Sequence, residues 1–201
     1  CYEYIKSIDW SFANVFEFGC GYSSVWWDQN DANVYGVDSD KKWIDKDQYF
    51  NDDLLKTDWP LADNANREWV KKHKDKFISQ FNVFANALGY QKATLIKIWY
   101  QRYGYQQTHG WHTHWGNYTG AYYLELPKNA PTTEFLYCNN LEKSFTINVK
   151  EGDLIFFPCH FIHRSPKSKS KKIKTIISWN LNFDHVLEFY IKDRKKIKKY
   201  E

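Results

Sequence analysis

Gly110-Trp111-His112-Thr113-His114, answered later in the chain by Glu151-Gly152-Asp153-Leu154-Ile155-Phe156-Phe157-Pro158-Cys159-His160-Phe161-Ile162-His163, decides how this sequence is read. Side-chain direction repeats every two residues along a strand, so His112 and His114 share a face and Thr113 faces away. The second segment reads as a glycine turn, a buried strand, a proline and a histidine. If the sheet folds back once, as small barrels do, His163 meets the pair. A lone histidine is more often a hydrogen-bonded core or surface residue; the joint pattern is what makes a metal site. Imidazole suits iron, nickel, copper and zinc, so three nitrogens do not select the ion. Each ligating ring should donate its other N–H to an acceptor behind it. His160 is the internal competitor of His163, and His109, expected in the loop before the strand, competes more weakly.

Outward from these segments the chain is strand-rich. Strands are expected at Thr94–Arg102, Gly110–Trp115, Thr119–Glu125, Thr133–Tyr137, Phe145–Ile147, Asp153–Phe157, Ile162–Ser165 and Ile173–Asn180. Short strands with Gly, Pro and Asn turns at this spacing predict an antiparallel sandwich or barrel. Before them, Asn66–Leu88 reads as a helix whose apolar face is Phe77, Phe81, Phe84 and Leu88, ended by Gly89. The expected organisation is an N-terminal α/β appendage over residues 1–62 and a β domain over 63–201. A final amphipathic helix or frayed tail is expected at Val186–Lys199.

With 201 residues, 43% of them hydrophobic, the chain can build one real core without disulfides. Cys1, Cys20, Cys138 and Cys159 form no zinc or redox spacing, which implies reduced thiols and a cytoplasmic location. Cys159 lies beside the candidate site and is expected to be open to oxidation. The chain starts at Cys1 and contains no Met, which implies a missing or processed N-terminus. No apolar run is long enough to span a membrane, and the first residues lack a signal-peptide pattern.

The net charge of +4 is unevenly placed. Residues 167–201 hold eleven Lys or Arg against four Asp or Glu, while the first 166 residues carry a net −3. The runs Lys167–Lys174 and Lys192–Lys199 read as a solvated loop and a solvated helix face. No nucleic-acid recognition motif accompanies them, so the expected partner is a small-molecule or protein substrate, with nucleic acid as the minor option.

From about Asn66 to Asn180 the chain resembles the iron(II)/2-oxoglutarate oxygenases of the double-stranded β-helix superfamily, in particular the branch of phages and marine bacteria. The resemblance rests on Phe84-Ala85-Asn86-Ala87-Leu88-Gly89, Ile98-Trp99, His112-x-His114, Thr119-Gly120-Ala121-Tyr122-Tyr123-Leu124, Gly152–Pro158, His163 and Ile176-Ile177-Ser178-Trp179-Asn180. It implies a mainly β fold, a jelly-roll or cupin-like barrel with an N-terminal α/β segment and flanking helices. It also implies Fe(II) and 2-oxoglutarate as cofactors. The family triad is His-x-Asp/Glu plus a distant His, so His112 and His163 take ligand positions and His114 stands where the carboxylate normally sits. That departure leaves open a thiol- or diketone-type dioxygenase, another metal, or a non-catalytic, cupin-like ligand-binding copy. Carried over, the basic residue that holds the far carboxylate of 2-oxoglutarate is Lys174, with Lys172 as the alternative; Lys174, Ile176, Ser178 and Asn180 share one face of a regular strand. Lysine neutralises a carboxylate without arginine's bidentate fork. Tyr100, Tyr122 and Trp115 are further cavity candidates.

One local motif points elsewhere. Val15-Phe16-Glu17-Phe18-Gly19-Cys20-Gly21-Tyr22-Ser23-Ser24, with Val34-Tyr35-Gly36-Val37-Asp38, resembles the opening of class I S-adenosylmethionine-dependent methyltransferases. Glycines there let a cofactor approach the backbone, and the acid binds ribose hydroxyls. The further β-α units of that fold are not legible downstream, so a methyltransferase fragment is the alternative enzyme class.

Overall fold

The computed structural model describes residues 56–138 and 140–186. The methyltransferase-like motif, Cys1, Cys20 and the basic run Lys192–Lys199 lie outside the described residues. Among the described residues two elements precede the sheets: a short 3-10 turn at Trp59–Leu61 and a helix, α1, at Glu68–Ala87. Eight strands follow: β1 (Tyr90–Tyr103), β2 (His109–His112), β3 (Tyr118–Glu125), β4 (Glu134–Tyr137), β5 (Asn140–Thr146), β6 (Leu154–Pro158), β7 (His163–Ser165) and β8 (Lys174–Val186). They form two four-stranded sheets, a major one in the order β1-β8-β3-β6 and a minor one in the order β2-β7-β4-β5. All pairings are antiparallel. Val186, expected to open a helix, instead closes β8 opposite Tyr90. Among the described residues no helix is long and apolar enough to cross a membrane.

The helix forms where the apolar period predicts it. Val70, His73, Phe77, Phe81 and Phe84 recur at three- and four-residue steps and are buried. Gly89, at φ 85°, takes the left-handed conformation that lets the chain leave the helix and enter β1. The buried face of α1 lies on the outer side of the major sheet. Phe84 stacks on Phe156 at 4.1 Å, Phe81 meets Trp179 at 4.9 Å, and Phe77 meets Tyr122 edge-on at 6.0 Å. Each of these large side chains contributes about 1.5–3 kcal/mol by leaving water, so the aromatic layer clamps helix to sheet.

The inner side of the same sheet has its own core: Tyr103, Ala121, Tyr123, Ile155, Phe157 and Ile176, with Phe135 and Phe161 from across. Because both faces of the major sheet are covered, β3 and β6 read as continuous apolar runs and not as alternating ones. Gly120 marks the tightest crossing. A Cβ there would lie 2.1 Å from the Ile155 carbonyl oxygen and 2.6 Å from the Trp179 ring, so no other residue fits.

Alternation along β1 is reset by an irregularity between Leu95 and Lys97, opposite Leu181 and Asn180 of β8. Beyond it, Ile98 and Tyr100 face α1, while Trp99, Gln101 and Tyr103 face inward. The chain just before α1 is tied to this strand as well. Asp58, buried, accepts from the Tyr100 backbone N–H, Trp69 Nε1 and Arg67. The Arg102 N–H donates to the Lys56 carbonyl oxygen, and Thr57 bridges Gln101. Residues 56–62, placed by sequence with the N-terminal appendage, thus hydrogen-bond to the barrel.

Candidate metal centre

β2 and β7 pair so that His112 stands directly opposite His163. After His112 the chain leaves the sheet, so His114 is not on the strand that sequence periodicity predicted for Gly110–Trp115. Its backbone N–H donates to the Cys159 carbonyl oxygen, and Gly116, at φ 112°, turns the chain toward β3. That bend still delivers the third ring. The candidate ligand nitrogens of His112, His114 and His163 all lie within 4.8 Å of one another. Their ring centroids are 4.3 Å apart for His112–His163, 5.0 Å for His112–His114 and 5.1 Å for His114–His163.

Two of the rings are oriented from behind by the backbone. His112 Nδ1 lies 2.8 Å from the Gly110 carbonyl oxygen, and His163 Nδ1 lies 2.9 Å from that of Phe161. A carbonyl can only accept, so each Nδ1 carries the proton and each Nε2 keeps its lone pair for a metal. The third ring, His114, stacks on Trp99 at 5.6 Å. Burial pushes the His163 imidazole down to about 3 and that of His114 to about 4, and lowers His112, also through burial. All three are therefore neutral at ordinary pH, the state a metal requires. Asn180 is fully buried beside His114 and partly offsets its shift, without meeting a hydrogen-bond geometry.

The rings open on a small cavity of about 50 Å³, walled by Trp99, Gln101, Tyr103, Thr133, Phe157 and Ser165 among others. Behind the Tyr103 and Ser165 wall of this cavity lies Lys174, on the same face of β8 as Ile176, Ser178 and Asn180. It is 1% exposed. Its ammonium donates to Ser165 Oγ at 2.7 Å and to the Pro131 carbonyl oxygen at 2.9 Å, and sits 4.5 Å over the Tyr103 ring. Burial pushes it down to about 7. Lys172, the alternative, is exposed. Tyr103, also buried, has its hydroxyl shifted upward by burial and hydrogen-bonds Ser165.

Several expected residues lie elsewhere. Tyr100 and Tyr122 belong to the core beneath α1, on the opposite face of the major sheet, because the β1 irregularity sets which residues point inward and because β3 turns its even-numbered residues to the helix. Trp115 is 61% exposed at the rim. His160 is exposed in the turn before β7 and outside the cluster. His109, expected in a loop, opens β2 and stacks on His112 at 4.1 Å. Cys159, expected to be oxidation-sensitive, is 2% exposed and its thiol is pushed up to about 12 by burial, which keeps it protonated and inert. Sequence reasoning missed Tyr103 and Ser165. Ser165 follows His163 by two residues on one strand, so its shared face was legible.

No protein-family model matches the sequence, and no curated protein matches it. Solved structures do. The chain is similar to EvdMO1 (TM-score 0.55, 12% identity, covering 74% of this chain and 46% of that one). It is similar to an oxidoreductase of the 2OG-Fe(II) oxygenase family from Burkholderia pseudomallei (TM-score 0.52, 9% identity, 61% and 60% covered). It is also similar to AviO1 from Streptomyces viridochromogenes Tue57 (TM-score 0.50, 10% identity, 82% and 81% covered). The chain thus spans about half the length of EvdMO1 and 60% of the Burkholderia protein. At such identities the likeness is one of fold, and the fold is the double-stranded β-helix: mainly β, two antiparallel sheets, with the three histidines between them.

Proposed function

We propose that this chain is a non-haem iron(II)- and 2-oxoglutarate-dependent oxygenase that hydroxylates a C–H bond of its substrate. The observation that carries the reading is the pairing, within one β-helix, of a three-imidazole cluster with a buried ammonium that has no carboxylate among its partners. The donor set fits a ferrous ion: three neutral nitrogens, two held in orientation by backbone carbonyls. The ammonium fits a dicarboxylate. A buried, unpaired cation costs several kcal/mol, and an anion that pairs with it recovers much of that cost.

With dioxygen as the oxidant, bound iron and 2-oxoglutarate would supply the oxidising chemistry: one oxygen atom would go to the substrate C–H bond and the other to the keto-acid, which would leave as succinate and CO2. This chain's residues do the rest. His112, His114 and His163 hold the ion. Lys174, with the Ser165 and Tyr103 hydroxyls beside it, binds the far carboxylate. Trp99 against His114, and Phe157 edge-on to His163 at 4.6 Å, wall two sides of the site. Because His114 replaces a carboxylate, the protein brings no negative charge to the metal, and the keto-acid dianion balances it alone. Affinity for the keto-acid should therefore depend strongly on the metal.

Succinate release with Fe(II), 2-oxoglutarate and oxygen tests the proposal. Turnover in the wild type, lost in His112→Ala and His163→Ala, is expected. An iron-loaded protein that neither turns over nor binds 2-oxoglutarate would overturn it.

A further inference from the structure

The metal cavity is not closed. Gln101, Tyr103 and His109 belong also to a wider, open pocket of about 470 Å³, which Lys56, Arg102, Gln106, Gln107 and Thr108 complete. No Asp or Glu lines either pocket. Aromatic and cationic side chains lie against the residues that wall these pockets, and Arg164 among them lines the inner one. On the β2–β7 side, Arg164 lies 4.3 Å over the ring of Trp111, which is 39% exposed. On the β1 side, Lys97 lies 5.0 Å from the ring of Trp59 and 5.9 Å from that of Trp115. Trp59 in turn meets Trp99 of the cavity wall at 4.5 Å. On the third side stands Tyr105, 57% exposed, beside the lysine loop.

That loop is built and not merely solvated. From 167 to 172 it runs Lys-Ser-Lys-Ser-Lys-Lys, with Ser168 and Ser170 buried and Lys167, Lys169, Lys171 and Lys172 exposed. Ser168 is locked to the rim of the open pocket: the Gln106 N–H donates to its carbonyl oxygen at 2.8 Å, and its own N–H donates to that of Gln107 at 2.9 Å. The Ser170 N–H donates to Ser168 Oγ, and the Lys172 N–H to Ser170 Oγ. The serines are buried, so the loop that Ser168 ties to the pocket rim exposes four lysines to solvent.

The geometry points to single-stranded nucleic acid as the partner that this mouth accepts, deepening the oxygenase reading by naming a substrate class. Lysines at regular spacing suit phosphates, exposed Trp and Tyr rings suit unstacked bases, and the glutamine carboxamides of the open pocket suit base edges. A purely acidic peptide would use the lysines and leave the three exposed aromatic sets without a role; a duplex would offer no base faces to stack.

Fluorescence anisotropy of a labelled oligothymidylate, with full-length protein free of metal and keto-acid, tests this. Four loop phosphates predict a log–log salt slope of about −3. Replacing Lys167, Lys169, Lys171 and Lys172 together by Glu should weaken binding at least tenfold, although the run at 192–199 is kept. Trp111→Ala should weaken it about tenfold at constant salt slope. The four lysines are exposed, and unchanged circular dichroism in both variants verifies the fold. Equal binding of duplex, full competition by polyglutamate, or no response to either variant would overturn the assignment. Because no metal or turnover enters this assay, its failure leaves the oxygenase proposal standing, and a failed succinate assay leaves this one standing.

Discussion

Replacing Lys174 by Met removes a buried charge while keeping most of its stem. The wild-type ammonium has a pKa of about 7 against 10.5 when free in water, because burial disfavours its charged form. Between these two values the unfolded chain holds more protons than the folded one, so stability rises with pH across that window and falls as pH drops toward 7. Lowering the pH from about 9.5 to 7 should therefore cost the wild type on the order of 3 kcal/mol through this group. Lys174→Met loses that dependence. It also leaves the Pro131 carbonyl oxygen without this donor, at about 1–3 kcal/mol, while Ser165 keeps its Tyr103 partner; that loss does not vary with pH. Urea denaturation of both proteins across the window reads the difference. The stability gap should close, or reverse in favour of the variant, as pH falls. The same variant should bind 2-oxoglutarate to its iron-loaded form about 10- to 100-fold more weakly, the worth of a charge-assisted hydrogen-bonded pair. Pyruvate, which lacks the far carboxylate, should bind both proteins alike. Parallel stability curves, or unchanged 2-oxoglutarate affinity, would refute the role of Lys174.

Anaerobic iron titration should show affinity lost in His112→Ala and in His163→Ala; wild-type binding in both would sink the ligand assignment. Gly120→Ala should destabilise by more than about 3 kcal/mol, as an overpacked core does at the severe end, read as a lowered urea midpoint; a neutral effect would mean that Trp179 is less tightly held than its contacts indicate. Iodoacetamide at about pH 8 should label Cys138, which is exposed, and leave Cys159 intact, as mapped by mass spectrometry of peptides. Rapid labelling of Cys159 would show its burial to be transient. Binding of 2-oxoglutarate to iron-loaded protein should weaken as pH rises above 7, since the neutral amine of Lys174 must take up a proton to pair with the anion; calorimetry in two buffers of different ionisation heat would detect that uptake.

Much of this was legible in the sequence, for reasons that differ by element. The helix was read within two residues at its start and one at its end, because Phe77, Phe81 and Phe84 mark its face and Gly89 its stop. The inward face of β8, with Lys174, Ile176, Ser178 and Asn180, followed from strict alternation. Tyr100 was a cavity candidate that the irregularity between Leu95 and Lys97, which leaves no composition signal, turns to α1. Alternation brought His114 to the cluster, although the residue reaches it from a bend held by Cys159 and not from the strand. Tyr122 was read inward, although β3 is apolar throughout and its two faces cannot be told apart by hydrophobicity. The burial of Lys174 was hidden by the lysine run around it. Only the inward serines at 165, 168 and 170 separate that residue from its exposed neighbours.

The central claim is that His112, His114 and His163 hold one ion with which a keto-acid shares Lys174. Crystals soaked anaerobically with Fe(II) and 2-oxoglutarate, measured at the iron edge, test it most directly. The account predicts one anomalous peak bonded to the Nε2 atoms of all three histidines, with the far carboxylate of the keto-acid on Lys174 and Ser165. A peak bonded elsewhere, or a keto-acid that leaves Lys174 untouched, would contradict it.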